Sequence, residues 1–98
     1  MNDMNDTIPL ISIIILNYNG GKFIEECIKS IMASNYSSYE IILVDNNSDD
    51  NSHKICKEKF PQIILIENKS NLGYCEGNNI GIRKAKGEYL VILNPDTL

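Results

Sequence analysis

The segment that decides the fold reads Ile41-Ile42-Leu43-Val44-Asp45-Asn46-Asn47-Ser48-Asp49-Asp50. Four apolar residues give way abruptly to Asp, Asn and Ser alone. So short an apolar run, bounded by turn-forming residues, predicts a buried strand that carries polar groups to the edge of a sheet. Two other segments have the same shape: Ile13-Ile14-Ile15-Leu16 before Asn17-Tyr18-Asn19, and Leu90-Val91-Ile92-Leu93 before Asn94-Pro95-Asp96-Thr97. We therefore expect three strands to end in polar residues at one sheet edge.

The rest of the chain alternates between strand-like and helix-like patterns. Each pair of successive strands is joined through one helix, which implies a parallel sheet with right-handed crossovers. The first strand is apolar on both faces, so we expect it at the centre of a sheet covered on both sides. The predicted fold class is α/β, a three-layer, Rossmann-like parallel sheet with helices on both faces. Strands are predicted at 8–16, 39–44, 63–66 and 88–93, and helices at 22–33, 52–60 and 74–86.

Several residues have predicted structural positions. Asp50 or Asn51 is expected to cap the free N–H groups of the second helix, with Asp49 also at its start. Gly77 and Gly81 lie four apart in the third helix, where each glycine costs about 1 kcal/mol relative to alanine, so a close approach of backbone or ligand is expected there. Gly87 suits the left-handed position after that helix. His53 is interpreted as a surface residue because no nucleophile accompanies it in the sequence.

The length, the net charge and the lengths of the apolar runs limit the classes of function that the chain can have. Ninety-eight residues make one domain at most. A net charge of −4 and a pI near 4.8 argue against a nucleic-acid partner, because no cluster of basic residues exists to replace counterions. No apolar run approaches the roughly 20 residues of a membrane span. The segment 1–7 is polar, is expected to be frayed and lacks the pattern of a signal peptide.

Three cysteines, Cys27, Cys56 and Cys75, are far apart and form no Cys-x-x-Cys pattern. Reduced thiols in a cytoplasmic protein are the simplest interpretation. The sequence ends soon after the fourth predicted strand, and an uncovered apolar edge strand promotes association. We therefore expect a fragment, a truncated product, or a chain that forms a homo-oligomer through the strand-four edge.

The polar residues after the strands are the candidate site. Asp96 follows an apolar strand through a proline-stiffened turn, and one carboxylate suffices for Mg²⁺ or Mn²⁺ bound mostly by phosphate oxygens and water. Asn-Pro-Asp-Thr is also a good turn sequence, so a purely structural function remains open. Asp45 and Asn46 offer an acceptor and an amide that match the edge of a nucleobase, and Tyr18 can stack on a base or cover the rim. The chain lacks the glycine fingerprints of NAD enzymes and of P-loop NTPases.

Together these motifs resemble the family 2 glycosyltransferases of GT-A fold, in particular the rhamnosyltransferase-like branch. The resemblance runs from Ile8 to the end of the chain, and only the combination of its pieces is specific. The matching segments are Ile13-Ile14-Ile15-Leu16-Asn17-Tyr18-Asn19-Gly20, Glu40-Ile41-Ile42-Leu43-Val44-Asp45-Asn46-Asn47-Ser48, Asn71-Leu72-Gly73-Tyr74 with Gly77-Asn78-Asn79-Ile80-Gly81, and Gly87-Glu88-Tyr89 with Leu93-Asn94-Pro95-Asp96-Thr97.

The resemblance implies that 8–98 is the N-terminal, nucleotide-binding half of a glycosyltransferase domain. The donor would be a UDP-, dTDP- or GDP-linked sugar, and Asp96 would bind Mn²⁺ or Mg²⁺. Transfer to an acceptor hydroxyl would invert the anomeric carbon, and the products would be cell-surface polysaccharides. The catalytic base would lie beyond Leu98, so the chain would be inactive alone. Many relatives carry Asp-Asp where this chain has Asp45-Asn46. The implied nucleotide-binding residues are Asn17, Tyr18, Asp45, Asn46, Asn71, Gly73 and Asn94.

Two other classes of protein remain open. A receiver-like signalling domain also places acidic residues at neighbouring strand ends around Mg²⁺, but it begins with its acidic strand and uses a lysine at a later strand end. A non-catalytic interaction module would assemble through its open sheet edge.

Overall fold

The computed structural model describes residues 8–94, so the expectation of a frayed segment at 1–7 lies outside the described residues. Strands and helices alternate along the described part of the chain, as the apolar runs and helical spacings predict. The elements are β1 (Ile11–Asn17), α1 (Lys22–Met32), β2 (Tyr39–Asp45), α2 (Ser52–Lys59), β3 (Ile64–Glu67), α3 (Gly73–Lys84) and β4 (Tyr89–Leu93).

The four strands form one parallel sheet in the order β3-β2-β1-β4. In its register, Ile14 of β1 lies beside Ile42 of β2 and Ile92 of β4. The chain winds outward from β1 to β3 and then crosses back to place β4 on the other side of β1. The winding therefore reverses between β1 and β4, and open α/β sheets bind ligands at the carboxyl ends of strands beside such a reversal. This order rules out the receiver arrangement, in which the first strand lies between the second and the third.

Both faces of β1 and β2 are covered, because alternate residues of these strands point to opposite sides of the sheet. Odd-numbered residues such as Ile15 and Leu43 pack under α1 and α2, and even-numbered residues such as Ile14 and Ile42 pack under α3. The first cluster comprises Ile13, Ile15, Ile24, Ile28, Ile41, Leu43, Cys56 and Ile63, and the second comprises Ile14, Leu16, Ile42 and Val44 with Ile66, Ile80, Ile82 and Ala85 at its margin. The predicted three-layer architecture is confirmed.

The two glycines of α3 let that helix lie close to the sheet. A Cβ atom on Gly77 would lie 2.6 Å from Leu16 Cδ1, and one on Gly81 would lie 2.6 Å from Ile14 Cγ2. The expectation of a close approach at both glycines is met by sheet side chains. This packing brings the first turn of α3 against the carboxyl ends of β1 and β2.

Gly87 does not have the predicted left-handed conformation, which among the described glycines occurs at Gly21 and Gly73. Packing requires a glycine at this position instead, since a Cβ atom there would lie 2.7 Å from Ser12 N and 2.8 Å from Leu10 O. The Gly87 N–H donates to Ser12 Oγ at 2.8 Å. Gly87 therefore brings the chain against β1 at the point where β4 begins.

The three cysteines are free thiols with different exposure. Cys75 is exposed, Cys27 is half-buried and Cys56 is fully buried beneath α2. Burial raises the pKa of Cys27, and it raises that of Cys56 to about 11. A thiol that stays protonated at neutral pH is a poor nucleophile, so Cys56 is a core residue.

Candidate nucleotide site

The carboxyl ends of β1, β2 and β4 and the start of α3 surround a cavity of about 220 Å³. It lies beside the reversal of winding, where the strand order predicts a ligand. The structure brings together five of the seven predicted nucleotide-binding residues there, and it leaves Asn17 and Asp45 out of the lining. The cavity is lined by Leu16, Tyr18, Asn46, Asn71, Gly73, Tyr74 and Asn94.

Asn46 is the most firmly held of the polar residues in the cavity. Its side chain is 2% exposed, Nδ2 donates to Gly73 O at 3.2 Å, and Oδ1 accepts from Asn68 Nδ2 at 2.8 Å. Its backbone N–H donates to Asn17 O at 2.9 Å. Asn46 therefore presents a fixed amide to the cavity.

Gly73 and two tyrosines give the cavity its other walls. Gly73 has a φ of +83°, which favours glycine, and its N–H donates to Asn71 Oδ1 at 2.9 Å. Tyr18 is 44% exposed and Tyr74 54% exposed, so both have ring surface available to a ligand. Sequence reasoning missed Tyr74 as a site residue; an aromatic residue immediately after the glycine that opens α3 is the pattern that would have identified it.

Asp45 and Asn17 hold the loops behind the cavity, and both are 1% exposed. Asp45 accepts from Asn17 Nδ2 at 2.8 Å, from Ser48 N at 2.8 Å and from Ser48 Oγ at 2.7 Å. Asn17 Nδ2 also donates to Ser52 Oγ at 2.8 Å, and Asn17 Oδ1 accepts from Gly20 N at 3.1 Å. These contacts fix the exits of β1 and β2 and the start of α2.

Asp50 joins the same two loops from the solvent side. Its carboxylate accepts from Ser52 N at 3.0 Å, Ser52 Oγ at 2.6 Å and Gly21 N at 3.1 Å. Of the predicted caps of α2, Asp50 accepts from the first N–H group of the helix, whereas Asn51, at the N-cap position, makes no side-chain capping hydrogen bond. Partial burial would raise the pKa of Asp50, but the hydrogen bonds from Ser52 and Gly21 outweigh it, and the pKa is lowered.

Acid should remove the stabilisation that Asp50 provides. Because the pKa of Asp50 is lowered in the folded chain, its contribution is present above the unfolded value of about 4 and is lost as pH falls through the folded value. Thermal melts of wild type and Asp50→Ala are expected to differ by a constant amount from pH 7 to about pH 4. The difference should shrink as the pH is lowered below about 4. A difference that stays constant below that pH would contradict the assignment.

The prediction that His53 lies at the surface is wrong, because its side chain is 5% exposed. His53 lies on α2 with Nδ1 3.5 Å from Asp45 Oδ1 and Nε2 3.3 Å from Glu67 Oε1. Nδ1 makes no hydrogen bond within the described part of the chain. The sequence did contain an indication, since His53 precedes the apolar Cys56 by three residues and so shares its helix face. His53 packs between the carboxyl ends of β2 and β3.

Asp96, the predicted metal ligand, lies outside the described residues, two positions after Asn94. Within residues 8–94 no group of three or more His, Cys, Asp or Glu side chains is placed to hold a metal ion. The cavity wall offers neutral amide and carbonyl oxygens, which suit a hard cation that takes most of its ligands from phosphate and water. These neutral oxygens are compatible with such an ion, but the described residues do not make a metal site by themselves.

No helix in residues 8–94 has the length and apolar character needed to cross a membrane.

Known protein sequences match this chain over most of its length. The family model for glycosyl transferase family 2 matches residues 12–98. Glycosyltransferase GlyG of Streptococcus pneumoniae serotype 4 is 39% identical over 94 residues, which are 91% of this chain and 31% of the relative. The uncharacterized glycosyltransferase EpsJ of Bacillus subtilis is 38% identical over 91 residues, which are 91% of this chain and 26% of the relative. The chain thus spans less than a third of the length of these relatives.

Solved structures share the arrangement of helices and strands. The mannosyltransferase PcManGT from Pyrobaculum calidifontis, in complex with GDP-Man and Mn²⁺, has a TM-score of 0.81 at 28% identity over 93% of this chain and 28% of its own. S. aureus TarS 1–349, in complex with UDP, has a TM-score of 0.80 at 23% identity over 88% of this chain and 27% of its own, and shows the fold alone. From the family match, the sheet order and these structures, we conclude that the chain belongs to glycosyl transferase family 2 and has the GT-A fold.

Proposed function

We propose that this chain is the N-terminal, donor-binding half of a glycosyltransferase and that its cavity binds the nucleoside diphosphate of a nucleotide sugar. The observation that carries the proposal is the meeting of Tyr18, Asn46, Asn71, Gly73 and Asn94 beside the reversal of winding. The complex of the similar mannosyltransferase with GDP-Man and Mn²⁺ supports it. The base would be one of uracil, thymine and guanine.

Different walls of the cavity are proposed to contact different parts of the nucleotide. An exposed tyrosine ring can stack on a nucleobase, and such stacking is typically worth about 1–3 kcal/mol per base. Tyr18 and Tyr74 are the two rings available for this, and Asn46 pairs with the edge of the base. Asn71 and Gly73, at the start of α3, face the diphosphate, where the N–H groups of the first helical turn favour negative charge. Asn17 and Asp45 lie behind the cavity lining, where they hold the loops that carry Tyr18 and Asn46.

Asp96 is proposed as the ligand that holds Mn²⁺ or Mg²⁺ against the diphosphate. When bound, such an ion neutralises the charge that develops on the leaving nucleoside diphosphate. Asn94 lines the cavity two residues before Asp96, which supports this assignment.

Further elements of the proposal concern the complete enzyme and its location. Transfer to an acceptor hydroxyl would proceed with inversion. The product would be a cell-surface polysaccharide, which is supported by a relative named minor teichoic acid biosynthesis protein GgaB, 36% identical over 89% of this chain. The general base would come from sequence beyond Leu98, so these 98 residues alone would bind donor without catalysing transfer. The free thiols favour a cytoplasmic location, with peripheral membrane association as an alternative.

Nucleotide titrations test this function. UDP-, dTDP- and GDP-linked sugars are titrated into wild type and Asp96→Ala, with and without Mn²⁺, using NMR shifts of backbone amides. We expect the wild type to bind one of the three, more tightly with Mn²⁺, and Asp96→Ala to lose that enhancement while keeping its melting temperature. A metal enhancement that survives in Asp96→Ala would overturn the metal assignment. The absence of any nucleotide binding would overturn the proposed function.

A second candidate is a non-catalytic module that associates with a second copy of itself through β4. The observation in its favour is that β4 pairs with β1 on one side and leaves Tyr89, Leu90, Val91 and Ile92 between 39% and 59% exposed in the described structure. An apolar edge strand is a template for pairing with another chain. Light scattering after size exclusion separates the candidates, because a dimer that binds no nucleotide favours the module and a monomer excludes it.

A further inference from the structure

Asn68 lies in the loop after β3 and is not among the residues that line the cavity, yet it contacts the amide that faces the ligand. Its side-chain Nδ2 donates to Asn46 Oδ1 at 2.8 Å, and its backbone N–H donates to Asp45 O at 2.8 Å. The second contact fixes the backbone of Asn68 against the exit of β2. The first therefore places a well-held donor against Asn46.

The orientation of the Asn46 amide is determined by these neighbours. Gly73 O can only accept, so the Asn46 atom that lies 3.2 Å from it has to be the nitrogen, and the oxygen then faces Asn68. An asparagine side chain has two N–H donors and two acceptor positions, of which these contacts use one each. One donor and one acceptor remain for a ligand. Nucleobase edges present a neighbouring donor and acceptor, so their order on a fixed amide matters for recognition.

We propose that Asn68 is a positioning residue that holds the Asn46 amide in one orientation and thereby sets the nucleobase preference of the cavity. This inference rests on the proposed function. It assigns selectivity among nucleoside diphosphates to a hydrogen-bonded chain from Asn68 through Asn46 to Gly73. In this chain an asparagine at position 46 satisfies both neighbours, whereas an aspartate would place an acceptor against the Gly73 carbonyl.

The decisive variant is Asn68→Asp, which keeps the size of the side chain and replaces the donor by a carboxylate oxygen. That oxygen repels Asn46 Oδ1, and reversal of the amide would bring Oδ1 against Gly73 O. We expect the ratio of dissociation constants between the preferred nucleoside diphosphate and the other two of UDP, dTDP and GDP to fall roughly fivefold, about the value of one neutral hydrogen bond. Asn68→Ala should reduce the ratio less, because it leaves the amide free without opposing its native orientation.

Asn79→Ala is the matched control, since Asn79 is an exposed residue of α3. It should keep the wild-type ratio. Melting temperatures of all variants are recorded so that loss of folding is not mistaken for loss of selectivity. The Asn46 side-chain NH₂ resonances should shift in both Asn68 variants and stay unchanged in Asn79→Ala.

One result would overturn the inference while leaving the proposed function intact: a ratio within twofold of wild type in Asn68→Asp. If all three nucleotides bound more weakly by the same factor, that unchanged ratio would reflect the added negative charge or a general loosening of the loop. A wild-type chain that binds no nucleoside diphosphate would overturn the proposed function itself, and this inference with it.

Discussion

Asp45→Ala is expected to lower the free energy of unfolding by about 3 kcal/mol, because it leaves buried donors without their acceptor. The carboxylate of Asp45 accepts from Asn17 Nδ2, Ser48 N and Ser48 Oγ and is 1% exposed. The Ser48 hydroxyl can rotate to another partner, but the Ser48 backbone N–H cannot. Domains of this size are typically stable by only about 5–15 kcal/mol, so the loss should be visible in urea unfolding as a large fall in the midpoint.

Asp49→Ala is the control for this experiment. Asp49 belongs to the same acidic segment and is exposed, so its truncation should change stability by no more than about 0.5 kcal/mol. Equal losses in the two variants would show that the segment acts through its total charge. Nucleotide affinity of any folded Asp45 variant should also fall, because the exits of β1 and β2 lose the contact that joins them.

Gly87→Ala should cost about 3 kcal/mol, the upper part of the usual range for inserting a methyl group into a packed position. The new Cβ atom would lie 2.7 Å from Ser12 N and 2.8 Å from Leu10 O. Both are backbone atoms of the segment that leads into β1 and pairs with β4, so relief requires the strands to separate locally. The measurement is again the free energy of unfolding in urea.

Gly77→Ala provides the comparison. Its closest contacts would be Leu16 Cδ1 at 2.6 Å and Asn46 Nδ2 at 3.0 Å, both of them ends of side chains and not backbone atoms. Alanine also gains about 1 kcal/mol over glycine inside a helix. The loss at Gly77 should therefore be clearly smaller than at Gly87. If the two losses were equal, backbone contact would not be the reason for the glycine at position 87.

The architecture followed from sequence because the relevant patterns are local. A run such as Ile41 to Val44, ending in Asp45, indicates a buried strand without knowledge of its neighbours. The alternation of strands and helices, and the sheet edge at which polar residues meet, could therefore be predicted from the sequence. Strand ends shifted by up to three residues, as for β1, which begins at Ile11 and was predicted to begin at Ile8.

Partnerships between distant residues were beyond sequence reasoning. Asn17 and Asp45 were predicted to bind the nucleotide, and the structure leaves both out of the cavity lining. They lie 28 positions apart, and their side chains are hydrogen-bonded to each other. His53 was wrongly predicted to be exposed, since the residues it packs against, Asp45 and Glu67, lie at the ends of two strands and are distant in sequence. Gly87 was predicted to take the left-handed position after α3, since its contact with Ser12, 75 positions earlier, is not visible in the sequence. Periodicity identifies the buried face of an element, but it does not identify the residue opposite.

The strand order also has a consequence for how the chain is made. β4 pairs directly with β1, so Ile11 cannot pair with Tyr89 until 78 further residues have been synthesised. At the usual rate of about 5–20 residues per second, β1 is exposed on one side for roughly 4 to 16 s, whereas a helix forms in about a microsecond. During that interval the Ile-rich edge of β1 is open to any other extended segment.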